Sequence, residues 1–113
     1  MQISLALVIL INAELEATEF STGSRGFYVA GEVLAEEIRY RAQAQAVLVR
    51  SRSNPASKVM ATREDMIAGL AGLVASRLVP RESVSGWRGY RAAGKVQVAG
   101  QFYQASVQAV RLE

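Results

Sequence analysis

The stretch RGFYVAGEVLAEEIRYRAQAQAVLVR, residues 25–50, returns as RGYRAAGKVQVAGQFYQASVQAVRLE over residues 88–113, without a gap and at a constant offset of 63. Arg25, Gly26, Ala30, Gly31, Val33, Tyr40, Ala42, Gln45, Ala46 and Val47 recur as Arg88, Gly89, Ala93, Gly94, Val96, Tyr103, Ala105, Gln108, Ala109 and Val110. Ten identities in 26 positions mean that one element is present twice, and the fold follows from what that element is.

The element reads as a β-hairpin. In the second copy Ala99-Gly100 is the natural two-residue turn, because glycine reaches positive φ without a steric penalty, and Glu36-Glu37 holds the same place in the first. The turns set a register in which Val33 faces Tyr40, Gly31 faces Ala42, Val96 faces Tyr103 and Gly94 faces Ala105. Side chains alternate between faces, so Phe27, Val29, Val33, Tyr40, Ala44 and Ala46 form one core face. Tyr90, Ala92, Val96, Tyr103, Val107 and Ala109 form its counterpart. The opposite faces are polar and basic: Tyr28, Ala30, Glu32, Arg39, Arg41, Gln43 and Gln45 in one copy, then Arg91, Ala93, Lys95, Gln97, Phe102, Gln104, Ser106 and Gln108 in the other. The repeated Gly31, Gly94, Tyr40 and Tyr103 read as structural, each glycine lying diagonal to a tyrosine and leaving room for the ring to lie across the strand or for the sheet to bend.

A helix is expected over about residues 62–79. Thr62 is its N-cap with Asp65 at the third position, Ile67, Leu70, Leu73, Val74 and Leu78 form its apolar stripe, and Pro80 follows it. The segment from Ser4 to Thr18 alternates at its odd positions, Leu5 through Ala17, and is expected to be a long strand on the β-branched character of Val8, Ile9 and Ile11. Its competitor is a helix, since the same offset of 63 aligns Leu7, Leu10 and Leu15 with Leu70, Leu73 and Leu78. Between the halves, about residues 51–61 form a basic, proline-containing loop expected to be flexible. The expected fold is therefore a single α+β domain over residues 1–113, ordered β-β-β-α-β-β. A curved antiparallel sheet of about five strands contains the duplicated hairpin and carries one helix on one face.

Composition narrows the function. The 113 residues are half apolar and include no histidine and no cysteine. No imidazole base, thiol nucleophile, disulfide or zinc cluster can be built from this chain. Adjacent carboxylates such as Glu36-Glu37 and Glu64-Asp65 point apart and cannot flank one bond as an acid and base pair must. The run Gly89–Val96 has the outline of a phosphate-binding loop but ends in Val96 where a Ser or Thr would hold magnesium, and it lies within a strand. We therefore expect no enzyme, no cofactor and no metal.

Charge is unevenly placed. The net charge is +3, yet the first twenty residues hold Glu14, Glu16 and Glu19 and no cation. The stretches Arg39–Arg63 and Arg88–Arg111 contain no acid, and eleven of the 13 cations are arginine. Such runs suit a polyanion, and arginine suits phosphate and stacks on bases. The reading that follows is a nucleic-acid-binding protein that takes single-stranded DNA or RNA on a basic, aromatic sheet face without strong sequence specificity. Its candidate contacts are Arg25, Tyr28, Arg39, Arg41, Trp87, Arg88, Arg91 and Lys95. The alternative is a structural or assembly subunit of a viral or phage-like homo-oligomer, because Ile3–Ile11 is apolar on both faces and an open sheet leaves edges to pair. Self-association is expected under either reading. The apolar N-terminal run is too short to span a bilayer and no cation precedes it, so no membrane partner is expected and the location is expected to be cytoplasmic or virion-internal.

Overall fold

The computed structural model describes residues 1–51, 53–54 and 56–112; Arg52 and Pro55, within the loop read above as flexible, and Glu113, at the end of the repeat, lie outside the described residues. The elements run α1 (Ile3–Glu14), β1 (Glu16–Glu19), β2 (Arg25–Ala35), β3 (Ile38–Leu48), α2 (Arg63–Arg77), β4 (Val79–Glu82), β5 (Arg88–Val98) and β6 (Gln101–Arg111). Each of β1, β2 and β3 reappears displaced by 63 residues as β4, β5 and β6, so the duplicated unit is a whole α-β-β-β block rather than a hairpin. The class is α+β with an antiparallel sheet, as the pattern implied. The expectation of five strands and one helix is corrected to six strands and two helices among the described residues.

All six strands form one antiparallel sheet in the order β1-β2-β3-β6-β5-β4. The hairpin registers are those the turns dictated, with Val33 opposite Tyr40, Gly31 opposite Ala42, Val96 opposite Tyr103 and Gly94 opposite Ala105. The halves join where β3 meets β6, and there Ala44 faces Val107, which are themselves equivalent positions of the two copies. An approximate twofold axis therefore passes between these two side chains. Both helices lie on the same side of the sheet, α1 over β2, α2 over β5, and each against the other. The overall extents are 44 × 28 × 21 Å. The shortest of these holds one sheet and one layer of helices, leaving the second sheet face without cover.

The N-terminal segment departs from its strand reading. Ala6, Leu7, Leu10 and Ile11 are buried in α1, a helical spacing, and Leu15 continues the stripe, whereas Leu5 and Ile9 stand 52% and 48% exposed. A run apolar at nearly every position satisfies both periods, so periodicity cannot decide it. Burying Leu7, Ile11 and Leu15 in the core between helices and sheet outweighs the few tenths of a kcal/mol per residue by which β-branched side chains disfavour helix. The alignment of Leu7, Leu10 and Leu15 with α2 was the correct guide. Helix α2 begins as expected: Thr62 accepts from the Asp65 N–H at 3.1 Å, and the Asp65 carboxylate accepts from the Thr62 N–H at 3.3 Å.

The core lies between the helices and the sheet. Phe27, Val29, Tyr40, Tyr103 and Val107 meet Leu7, Leu10, Met66, Leu70 and Leu73 there. The central strands contribute mainly alanine, at 42, 44, 46, 105 and 109, all at most 1% exposed. Small side chains let the helices sit close to the sheet. The linker is held at several points. Ser51 is buried and accepts from the Arg25 N–H at 2.9 Å, and the Gln101 side chain bonds the Met60 N–H and the Lys58 carbonyl at 2.8 and 2.7 Å.

Glycine is required at positions other than those expected. A Cβ at Gly26 or Gly89 would collide with the backbone carbonyl oxygen of Ala46 or Ala109 on the neighbouring strand. A Cβ at Gly94 would meet only the mobile end of Arg77, at 3.4 Å, and one at Gly31 would meet Leu10, at 3.2 Å. The space at Gly31 and Gly94 is thus filled from the helices and not by a tyrosine ring. Gly89→Ala should cost about 3 kcal/mol or more, the range reached when backbone must move, and Gly94→Ala about 1 kcal/mol or less. Urea unfolding of the two variants measures the contrast, and equal destabilisation would contradict it.

Both hairpin turns place two residues at positive φ: Glu36 and Glu37 at 51° and 66°, Ala99 and Gly100 at 51° and 76°. The first turn does this without glycine, at roughly 1–2 kcal/mol per residue. Replacing Glu36-Glu37 by Asn-Gly should raise stability by about 1 kcal/mol, read as a higher denaturant midpoint at unchanged slope.

Burial raises the pKa of both core tyrosines above the usual 10.0, reinforced at Tyr40 by the neighbouring Tyr90. Because the folded values lie above the unfolded one, their contribution to stability is complete below pH 10 and is lost as pH rises through the folded values. Denaturant midpoints should stay level up to about pH 10 and fall beyond it, with a shallower fall in Tyr103→Phe.

Candidate nucleic-acid interface

Because residues directly opposite one another share a sheet face, the pairing registers define what the uncovered side carries. One cross-strand row holds Glu16, Tyr28, Gln45, Ser106 and Ala93. The next holds Ala30, Gln43, Gln108, Arg91 and Val79, and a third holds Glu32, Arg41, Val110, Gly89 and Arg81. A fourth contains Val47, Gln104 and Lys95, and Arg39 lies beside Leu34 beyond the third. Four glutamines thus occupy the middle of the face, with Arg39 and Arg41 beside them on β3 and Arg81 and Arg91 toward the β4 edge.

Five of the eight residues singled out from sequence lie on this face: Tyr28, Arg39, Arg41, Arg91 and Lys95. All five are exposed. Arg81 joins them and was missed, because the short strand β4 was not recognised. Phe102 is 52% exposed and Leu34 60%, giving flat apolar surface at the rim. The Arg39 guanidinium stands 3.4 Å from the Glu32 carboxylate, but with side chains 60% and 53% exposed this pair contributes about 0–1 kcal/mol. Tyr28 packs edge-on against Phe20, ring centres 6.4 Å apart, which holds its ring in place.

The other three lie elsewhere. Arg25 and Arg88 share the parity of Phe27 and Tyr90, so their side chains leave on the helix-bearing side. Arg25 is an anchor for the linker, its Nη2 donating to the carbonyls of Ser51 and Asn54 at 2.8 and 3.0 Å. Arg88 lies 3.6 Å from Glu82 at an open recess of about 300 Å³ that also includes Tyr40, Tyr90 and Arg111. Trp87 is half-buried in the β4–β5 turn, its N–H donating to Ser83 Oγ at 3.2 Å. The recurrence of Arg25 as Arg88 reflects the repeated start of a strand and not one shared surface.

At the β4 edge, Arg77 from the last turn of α2, Arg81 and Arg91 border one open cleft of about 610 Å³ with Val79 and Ala93, and no acid lines it. Among the described residues no group of His, Cys, Asp and Glu is placed to hold a metal ion, and no helix is long and apolar enough to cross a membrane. Comparison of the chain with protein-family models, with curated proteins and with solved structures finds no match.

Proposed function

We propose that the uncovered sheet face binds single-stranded DNA or RNA, without strong sequence specificity and without catalysing a reaction. The observation that carries this reading is the charge of a face with no helix over it: Arg39, Arg41, Arg81, Arg91 and Lys95 stand against Glu16 and Glu32 alone. Guanidinium groups track phosphates, the central Gln43, Gln45, Gln104 and Gln108 offer neutral donors and acceptors to base edges, and Tyr28 and Phe102 offer ring faces for stacking. A stacked base is worth about 1–3 kcal/mol. An exposed β-sheet suits an unpaired strand, whose bases can splay onto it, better than a duplex whose bases are turned inward.

Fluorescence anisotropy of a labelled single-stranded oligonucleotide tests the reading. Affinity should fall linearly on logarithmic axes as salt rises, by about 0.7 per phosphate contacted. Arg39→Ala with Arg41→Ala should weaken binding tenfold or more and flatten the slope by about 1.4. Both side chains are exposed, so stability should change by no more than about 0.5 kcal/mol for each. Absence of binding by the folded wild-type protein at low salt would overturn the proposal, and undiminished affinity in the double variant would remove this face as the site.

A further inference from the structure

The approximate twofold axis relates the two outer edges of the sheet, yet their side chains have diverged to opposite charge. Position by position, Glu14 at the end of α1 corresponds to Arg77 at the end of α2, Glu16 to Val79, Thr18 to Arg81 and Tyr28 to Arg91. Glu19 and Glu82 are alike, but Glu82 lies within ion-pairing distance of Arg88. Glu14, Glu16 and Glu19 are exposed and have no cation within 4 Å among the described residues, and Arg77, Arg81 and Arg91 have no acid within that distance. The β1 edge therefore carries three acids outside any ion pair, with Arg63 nearby on the Asn12 and Leu15 carbonyls, and the β4 edge three arginines outside any ion pair, at opposite ends of the strand order.

We infer that the β1 edge of one copy docks against the β4 edge of the next, and that the partner for this surface is a second copy of the same chain. Charge complementarity selects that occupant, since the acidic side chains needed at the Arg77–Arg81–Arg91 cleft are those at the far side of the molecule. Two like edges would repel. The contact joins different surfaces, so it is heterologous and propagates into a closed ring or an open filament instead of stopping at a twofold dimer. Strand pairing adds little to it: each edge strand is four residues long, and Pro80 has no N–H to donate. Side-chain charge carries the joint, which makes it sensitive to salt. This inference deepens the expectation of self-association; it shares Arg81 and Arg91 with the face proposed to bind nucleic acid, so it is tested in the absence of nucleic acid.

Sedimentation velocity of the full chain without nucleic acid tests it. At low salt the wild type should form species larger than a dimer, and at about 0.5 M salt it should return to monomer. Arg77→Glu with Arg81→Glu makes both edges acidic, and Glu14→Lys with Glu16→Lys makes both basic. Each double variant alone should be monomeric, and an equimolar mixture should regain assembly because every acidic edge then finds a basic one. Circular dichroism confirms that both variants remain folded. A wild type that is monomeric or only dimeric at low salt, a variant that assembles as the wild type does, or a mixture of folded variants that stays monomeric would each overturn the inference. Loss of oligonucleotide binding in the Arg39 and Arg41 variant leaves these outcomes unaffected, so the two proposals fail separately.

Discussion

The ladder between β3 and β6 is the constraint from which the rest of the molecule follows. Each α-β-β-β half has a helix over one face of a three-stranded sheet, a layer too narrow to enclose a core alone. Pairing β3 with β6, from Tyr40 opposite Arg111 to Leu48 opposite Tyr103, merges the halves into one sheet and brings α1 against α2. The alanines at 42, 44, 46, 105 and 109 are poor strand formers in isolation. They serve here because a larger side chain at the centre would hold the helices away from the sheet and open voids around Met66 and Leu70, both fully buried.

Joining the halves in this way also determines what is left uncovered. With both helices on one side, six strands present their other face to solvent, and the central joint consumes one edge of each half while leaving β1 and β4 as the outer edges. Sequence divergence between the copies has worked on those remaining surfaces. The buried positions are similar in both halves, whereas edge positions exchange Glu14 for Arg77 and Thr18 for Arg81. Nearly symmetric packing therefore supports an asymmetric distribution of charge.

The hairpins were legible in sequence because two independent signals agreed: a two-residue turn sets a register, and alternation sets which side is buried. The same arithmetic placed Arg39, Arg41, Arg91 and Lys95 on one open face. The same parity puts Arg25 and Arg88 on the other side with Phe27 and Tyr90; their place among the candidate contacts rests on charge and repetition alone. Helix α1 was misread because a segment as apolar as ISLALVILINAE carries no contrast from which a period can be measured. The four-residue strands β1 and β4 were missed because so short a segment has little pattern, and their pairing with β2 and β5 is what makes them strands.

The sequence by itself determined the duplication, the hairpin registers, the polarity of each sheet face and the absence of imidazole and thiol chemistry, since each depends on residue identity or on spacing within a few residues of a turn. Tertiary structure alone decided that Ile3–Glu14 is helical, that β3 and β6 are neighbours, and that Arg77, Arg81 and Arg91 border one cleft. These outcomes depend on contacts between residues far apart in the chain, where the free energy comes from surfaces removed from water together, and no local pattern records which surface will meet which.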